Sequence, residues 1–257
     1  VFNIAAGQRL YPKEGYDEEL LWFGNIKEGP IMEINRKSSA FNEAGLFTLR
    51  HEYGFIMVCL QNYRTRPAHM DQLHIDLWHN GRNIFCDTGT YSYATDIGNN
   101  LALTAAHNTV KIAGIEQMNK RGAFLIYNWT KCKDIRHDDD SFSGTMISKN
   151  GYQHTRSVRR TERGYEIIDE VRGNGEYCEF YFHTPYKVKI VNNGFEVWDK
   201  DDGKLLCTVI TENGDIEVRK AYRSLYYLKK EEISCAVIKR SLNNKKCRIL
   251  FNIELAA

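Results

Sequence analysis

From Ala44 onward the chain is a succession of apolar and β-branched runs, four to eight residues long, separated by Gly, Asn and Asp. Runs of that length, several of them alternating apolar with polar, suit strands and are too short for helices. They span residues 46–50, 54–60, 73–78, 83–87, 107–112, 124–129, 165–171, 177–182, 188–191, 195–198, 205–211, 216–219, 226–228, 234–239 and 248–253. With only 4 Pro among 257 residues, little interrupts a hydrogen-bonded ladder. The expected fold is all-β, a large antiparallel two-sheet sandwich. Only the region before residue 35 offers a helical pattern, with acidic residues leading an apolar cluster at 16–23. The expected division is a short, partly helical lead-in over 1–43 and a sandwich over 44–257.

Composition removes several function classes. Hydrophobic residues at 42% and aromatics at 12% are enough for a large core. Lys plus Arg number 35 against 33 Asp plus Glu, so no net field draws the chain to nucleic acid or a membrane surface. No apolar run approaches the ~20 residues of a membrane span. Phosphate-binding glycine loops, a serine nucleophile elbow and interleaved basic and aromatic residues are absent from the sequence. The 7 Cys are odd in number and form no CxxC pair, which argues against zinc-thiolate or full disulfide frameworks and leans toward a reducing compartment. The acidic run at 138–140 reads as a solvated turn. The chain opens Val1-Phe2-Asn3 with neither an initiator Met nor a signal-peptide pattern, as a piece of a longer protein would.

Polar residues concentrate between Arg64 and Asn108. Four of the 8 His fall here: His69, His74, His79 and His107. Three segments carry them or lie between them, AHMDQLHIDLW (68–78), DTGTYSY (87–93) and AHNTV (106–110). Asn80-Gly81 supplies the φ > 0 turn of a tight hairpin between 73–78 and 83–87. In an unbroken ladder through that turn, Asp87 faces His74, and His69 lies on the opposite face. For His69 and Asp87 to meet, the chain between Pro67 and Leu73 must bend or bulge. His74 is the rival partner of Asp87.

The ordered set HxD, hairpin, DxGxYxY and AHNTV resembles the heparinase II/III family, over about residues 44–118 and more weakly at 154–156 and 169–171. The resemblance implies a supersandwich-type domain that follows a toroid of helix pairs, with acidic polysaccharide bound between the two. It implies a lyase that cleaves uronic-acid-containing polysaccharide by β-elimination and is inactive without the helical domain. That chemistry removes the proton α to the uronate carboxyl group, so it needs a base, an acid for the leaving oxygen and neutralisation of enolate charge. The resemblance further implies a structural zinc ion held by His69, Asp87 and His107. Two imidazoles and a carboxylate suit that metal.

Some members carry a catalytic His where this chain has Pro67. The acid/base role then passes to His69, Tyr91 or Tyr93, or this branch works differently. The alternative is a non-catalytic carbohydrate-binding or structural sandwich that keeps the metal site. Arg64, Arg66 and Asn108 are the substrate-binding candidates, the arginines as bidentate carboxylate ligands or as plain surface charge. Asn108 has a second reading, orienting its loop through side-chain-to-backbone bonds. Tyr91 and Tyr93 share a face if 90–93 is extended, and either line the cleft or pack on it. His183 reads as structural. The family suggests a periplasmic or secreted location, and the cysteine usage is compatible with the cytoplasm.

Overall fold

Five strands form an antiparallel sheet in sequence order: β1 (Ser39–Phe41), β2 (Leu46–His51), β3 (Gly54–Cys59), β4 (Ile75–His79) and β5 (Arg82–Phe85). The structure is a computed structural model that describes residues 7–9, 22, 29–32, 36–93, 95–212 and 214–256. It separates into two units, Val1–Lys37 and Ser38–Ala257. The helix expected at 16–23 lies, Trp22 apart, outside the described residues. Asn80 and Gly81 make the β4–β5 turn with φ of 50° and 73°, as their residue types require.

A departure from the expected all-strand pattern follows β5. Helix α1 (Asp96–Leu101) is capped by the Thr95 hydroxyl, which accepts from the Gly98 N–H at 3.2 Å, and a 3-10 turn covers Thr104–Ala106. Only Gly98 and Leu101 of α1 are buried, so six residues show no apolar stripe to read in the sequence.

The remaining strands are β6 (Val110–Ile112), β7 (Asn119–Arg121), β8 (Leu125–Tyr127), β9 (Lys131–His137), β10 (Ser141–Ile147), β11 (Tyr152–Thr161), β12 (Gly164–Gly173), β13 (Tyr177–Thr184), β14 (Lys187–Val191), β15 (Gly194–Trp198), β16 (Leu205–Thr211), β17 (Asp215–Tyr226), β18 (Lys229–Ser241) and β19 (Lys246–Leu255). Eight of them form one sheet in the order β14-β15-β16-β19-β12-β11-β10-β9, and four another in the order β17-β18-β13-β6. The small β7–β8 hairpin stands apart. Residues 226–228, expected as a strand, form the end of β17 and the turn into β18.

The five- and four-stranded sheets are joined where the Cys86 N–H donates to the His183 carbonyl at 3.0 Å and Gly89 bridges Ser224. Their apolar faces share one core with the eight-stranded sheet, including Phe47 against Phe142 at 4.8 Å and Phe182 against Phe251 at 5.1 Å between ring centroids. This is the expected sandwich. A smaller cluster, Met70, Met118 and Ile126, anchors the β7–β8 hairpin beside the first sheet's loops. No helix among the described residues is long and apolar enough to cross a membrane.

Candidate functional site

Two irregularities bring the distant polar segments together. In β4–β5, Trp78 pairs with Asn83 but Leu77 pairs with Phe85, so Ile84 is an extra residue on β5. This bulge displaces Asp87 by one position from the place opposite His74 that an unbroken ladder gives. The expected break before Leu73 is present as well, since Leu73 has φ of 60° and its carbonyl is turned out of the ladder. After the bulge, Asp87 leads into Gly89, whose φ of 73° and close approach to the Ser224 carbonyl leave no room for a Cβ.

The result is a compact cluster. His69, Asp87 and His107 each offer a ligand atom, and those atoms all lie within 4.8 Å of one another. His107 Nδ1 is 2.7 Å from Asp87 Oδ2, while Asp87 Oδ1 accepts from the Gly89 N–H at 2.6 Å. His69 Nε2 lies 3.3 Å from the Thr90 hydroxyl. The His107 ring is fully buried, and its Nε2 has no hydrogen-bond partner. A buried imidazole nitrogen without a partner beside a carboxylate is what a metal or a bound proton donor would satisfy.

Charge on these groups follows from their neighbours. Burial opposes ionisation of Asp87, but the charge and hydrogen bond of His107, then His74 and the Gly89 N–H, hold its carboxyl well below the usual carboxylate range. Burial likewise opposes a charge on His107, and Asp87 reverses that and raises it. Burial, then the neighbouring His107, lowers His69. Burial lowers His74 to about 4, so its ring is neutral near pH 7.

His74, the rival ligand, is set apart by its tautomer. Its Nδ1 accepts from the Asn108 N–H at 2.9 Å, so in the neutral ring the proton sits on Nε2. That nitrogen points toward Asp87 Oδ2 at 3.8 Å and has no lone pair to give a metal. At that distance it makes no hydrogen bond to the carboxylate, and the buried Nε2 has no hydrogen-bond partner, so His74 stands beside the cluster as a neutral imidazole.

Asn108, a substrate-binding candidate from the sequence, has its amide taken up by partners inside the protein. It is wholly buried and every polar atom is used. Its Nδ2 donates to the Ile75 and Cys86 carbonyls at 2.9 and 3.1 Å, and its Oδ1 accepts from the His183 N–H at 2.6 Å and faces His183 Nδ1 at 3.1 Å. The side chain locks β4, β5 and β13 to the His107 loop, the orienting role among the two expected for it. His183 is buried and structural, as its sequence context implies.

A pocket of about 220 Å³ opens beside His69, lined by Arg66, Pro67, Thr90, Tyr93, Lys120 and Phe124 among others. Arg66 and Tyr93 thus fall where a ligand could reach them. Arg64 is exposed and outside the pocket lining. Residues 90–93 are not extended: Tyr91 has φ of 62° and the Ser92 N–H donates back to the Thr90 carbonyl at 2.8 Å. Tyr91 and Tyr93 accordingly do not share a strand face, and only Tyr93 lines the pocket. Its ring meets Phe124 at 5.9 Å between centroids, and the Arg66 guanidinium lies over Phe124 at 5.6 Å. Lys120 and Phe124 escaped the sequence reading as site residues because they ride on the β7–β8 hairpin, whose strands bury only Ile126 at the middle of β8. Burial, then Arg66, lowers the Lys120 ammonium.

Comparison with known proteins bears on the family and the fold. The profile of the heparinase II/III-like C-terminal family matches residues 33–251, and the chain belongs to that family. Among solved structures, a heparinase III gene product superposes with a TM-score of 0.72 at 19% identity, covering 96% of this chain and 40% of the other. Heparan sulfate lyase HepC from Pedobacter heparinus gives 0.70 at 16% identity, with 96% and 40% covered. A further heparinase III gives 0.68 at 18% identity, with 88% and 37% covered. The chain therefore spans about 40% of the length of these structures, and at such identities the likeness concerns fold. No curated protein matches by sequence.

Proposed function

We propose that this chain is the sandwich portion of a lyase that cleaves uronic-acid-containing polysaccharide by β-elimination. The observation that carries the reading is the His69, Asp87 and His107 cluster set beside a pocket holding two cations, Arg66 and Lys120, and one phenol, Tyr93. The cations suit a uronate carboxyl group and the enolate charge that builds on it. Tyr93 supplies a proton-carrying hydroxyl, and the Tyr93 and Phe124 rings offer apolar faces to a sugar. The names of the superposed heparinases and heparan sulfate lyase point to the same class of substrate. The rest of the catalytic groups would come from a helical domain preceding this one, with residues before 44 as its remnant.

The donor set of the cluster fits zinc. His69, Asp87 and His107 would hold it, and the ion would cross-link the loops that carry them. With His69 so engaged, proton transfer falls to Tyr93. A second reading, a carbohydrate-binding or structural sandwich without catalysis, is favoured by one residue: Pro67, buried in the pocket wall where some relatives place a proton-carrying His.

The test is ultraviolet absorbance of the unsaturated uronate product, followed on the longest natural protein that carries this domain, with several uronate polymers. Product formation supports the lyase. Binding of a polymer with no product from any of them supports the second reading. The 257-residue chain alone is expected to bind without turnover.

A further inference from the structure

Beneath the cluster, one buried guanidinium reaches both histidine-bearing segments. Arg156 on β11 is 1% exposed. Its Nη1 donates to the Leu73 carbonyl at 2.6 Å and to the Asn108 carbonyl at 2.7 Å. Leu73 precedes His74, and Asn108 follows His107. The two peptide groups are 35 positions apart in sequence and meet on a single nitrogen.

The other side of the guanidinium is fixed. Nε and Nη2 donate to Asp169 Oδ1 and Oδ2, each at 2.7 Å, and Asp169 is the cross-strand partner of Arg156 on β12. Asp169 also accepts from His154 Nε2 at 2.8 Å. A bidentate pair fixes the plane of the guanidinium, so the direction of Nη1 is fixed too. The Leu73 carbonyl, turned inward by a left-handed backbone, has this donor as its partner in a dry interior.

We propose that Arg156 is the positioning residue of the His69, Asp87 and His107 cluster. Its guanidinium sets the Leu73 and Asn108 peptide planes. The first plane leads into His74, and the second holds Asn108, the residue after His107, whose N–H meets His74 Nδ1. The proposal deepens the metal reading of the cluster, on which its affinity readout rests. Lysine cannot replace arginine here, because one ammonium on a flexible stem cannot hold a bidentate carboxylate and two carbonyls in one plane.

The experiment compares the wild-type chain with Arg156→Lys and with Val209→Ala, a buried β16 position far from these contacts. Zinc affinity is measured by chelator competition on variants that circular dichroism shows to be folded. Arg156→Lys is expected to weaken zinc by about tenfold or more, the loss usual for groups that orient metal ligands. Val209→Ala should lose thermal stability yet keep zinc affinity within about twofold. Unchanged affinity in Arg156→Lys, or an equal loss in Val209→Ala, would overturn the positioning role.

If the wild-type chain takes up no zinc, the metal reading fails, and the clamp is decided by nitrogen-15 spectra of the imidazoles. Arg156→Lys should then shift the His74 ring nitrogens from the Nε2–H tautomer pattern, and Val209→Ala should not. Unmoved His74 signals in Arg156→Lys refute the clamp. Should Arg156→Lys fail to fold, Asp169→Asn takes its place in both measurements, because it loosens the guanidinium while keeping the volume.

Discussion

Asp169→Asn should cost this protein several kcal/mol of stability, on the order expected for breaking a buried ion pair. The carboxylate is fully buried and accepts three charge-assisted hydrogen bonds, from Arg156 Nε, Arg156 Nη2 and His154 Nε2, at 2.7, 2.7 and 2.8 Å. An amide keeps one acceptor oxygen and sets an NH₂ against an N–H, losing at least one bond and weakening the others. Hydrogen bonds to charged groups contribute about 1.5–3 kcal/mol each, and breaking one half of a buried ion pair costs about 3–5 kcal/mol. We therefore expect a loss of about 3–5 kcal/mol. For a domain of this size that corresponds to a Tm lower by roughly 6–20 °C.

Urea denaturation followed by circular dichroism would measure that loss, and its pH dependence supplies an internal check. Burial acts to raise the Asp169 carboxyl, but Arg156 and then His154 overcome it and hold the group well below the usual range. Its contribution is thus fully present above the unfolded value near about 3.9 and declines as pH falls below it. The stability gap between wild type and Asp169→Asn should be widest near neutrality and narrow below about pH 4. A neutral-pH difference under about 1 kcal/mol, or a gap that widens in acid, would refute the account of the buried triad.

Three further outcomes follow from the site. Elemental analysis after chelator-free purification should find about one zinc per chain, and His107→Ala or Asp87→Ala should remove it; unchanged metal content in both variants would leave a hydrogen-bonded polar cluster. Gly89→Ala should destabilise by at least about 1–2 kcal/mol from its left-handed backbone alone, read by chemical denaturation, because the new Cβ also meets the Ser224 carbonyl. In the longer protein, Tyr93→Phe should lower kcat by about 100-fold or more while leaving zinc content unchanged, and an undiminished rate would move the proton-carrying role elsewhere.

The parts of the fold that announce themselves in the sequence are those whose inward residues are apolar. The runs at 46–50, 54–60 and 165–171 became strands with buried Leu49, Ile56, Val58 and Ile167. Strands β9, β10 and β11 did not announce themselves. In β11 the inward positions are Tyr152, His154, Arg156 and Val158, so the alternation is present but half of it is polar and balanced by Asp169 on the next strand. Strand β9 is a mostly exposed, Lys- and Arg-bearing edge that buries too little to show a period, and its charges guard the open edge. The Asp138 turn between β9 and β10 is as solvated as its residues suggest, with the Asp138 carboxylate accepting from the Asp140 and Ser141 N–H groups.

At the site, it was the family resemblance of the ordered motifs that pointed to His69, Asp87 and His107, whereas strand parity alone set His74 opposite Asp87. The bulge at Ile84 that moves Asp87 into place is a property of ladder register, which no local composition records. The role of His74 likewise depended on knowing that a backbone N–H from residue 108 reaches its ring.

The segment after Asp87 has a mechanical aspect. Ser224 N–H donates to the Thr88 carbonyl and Leu228 N–H to the Tyr91 carbonyl, both at 2.8 Å, so this stretch is lashed at two points to the far end of the β17–β18 hairpin. Leu225, Tyr226, Tyr227 and Leu228 at that end are all more than half exposed. The main chain just after the acidic group at position 87 is therefore braced by a hairpin end that itself projects apolar side chains outward, and the loop's shape is tied to a part of the chain more than 130 residues away.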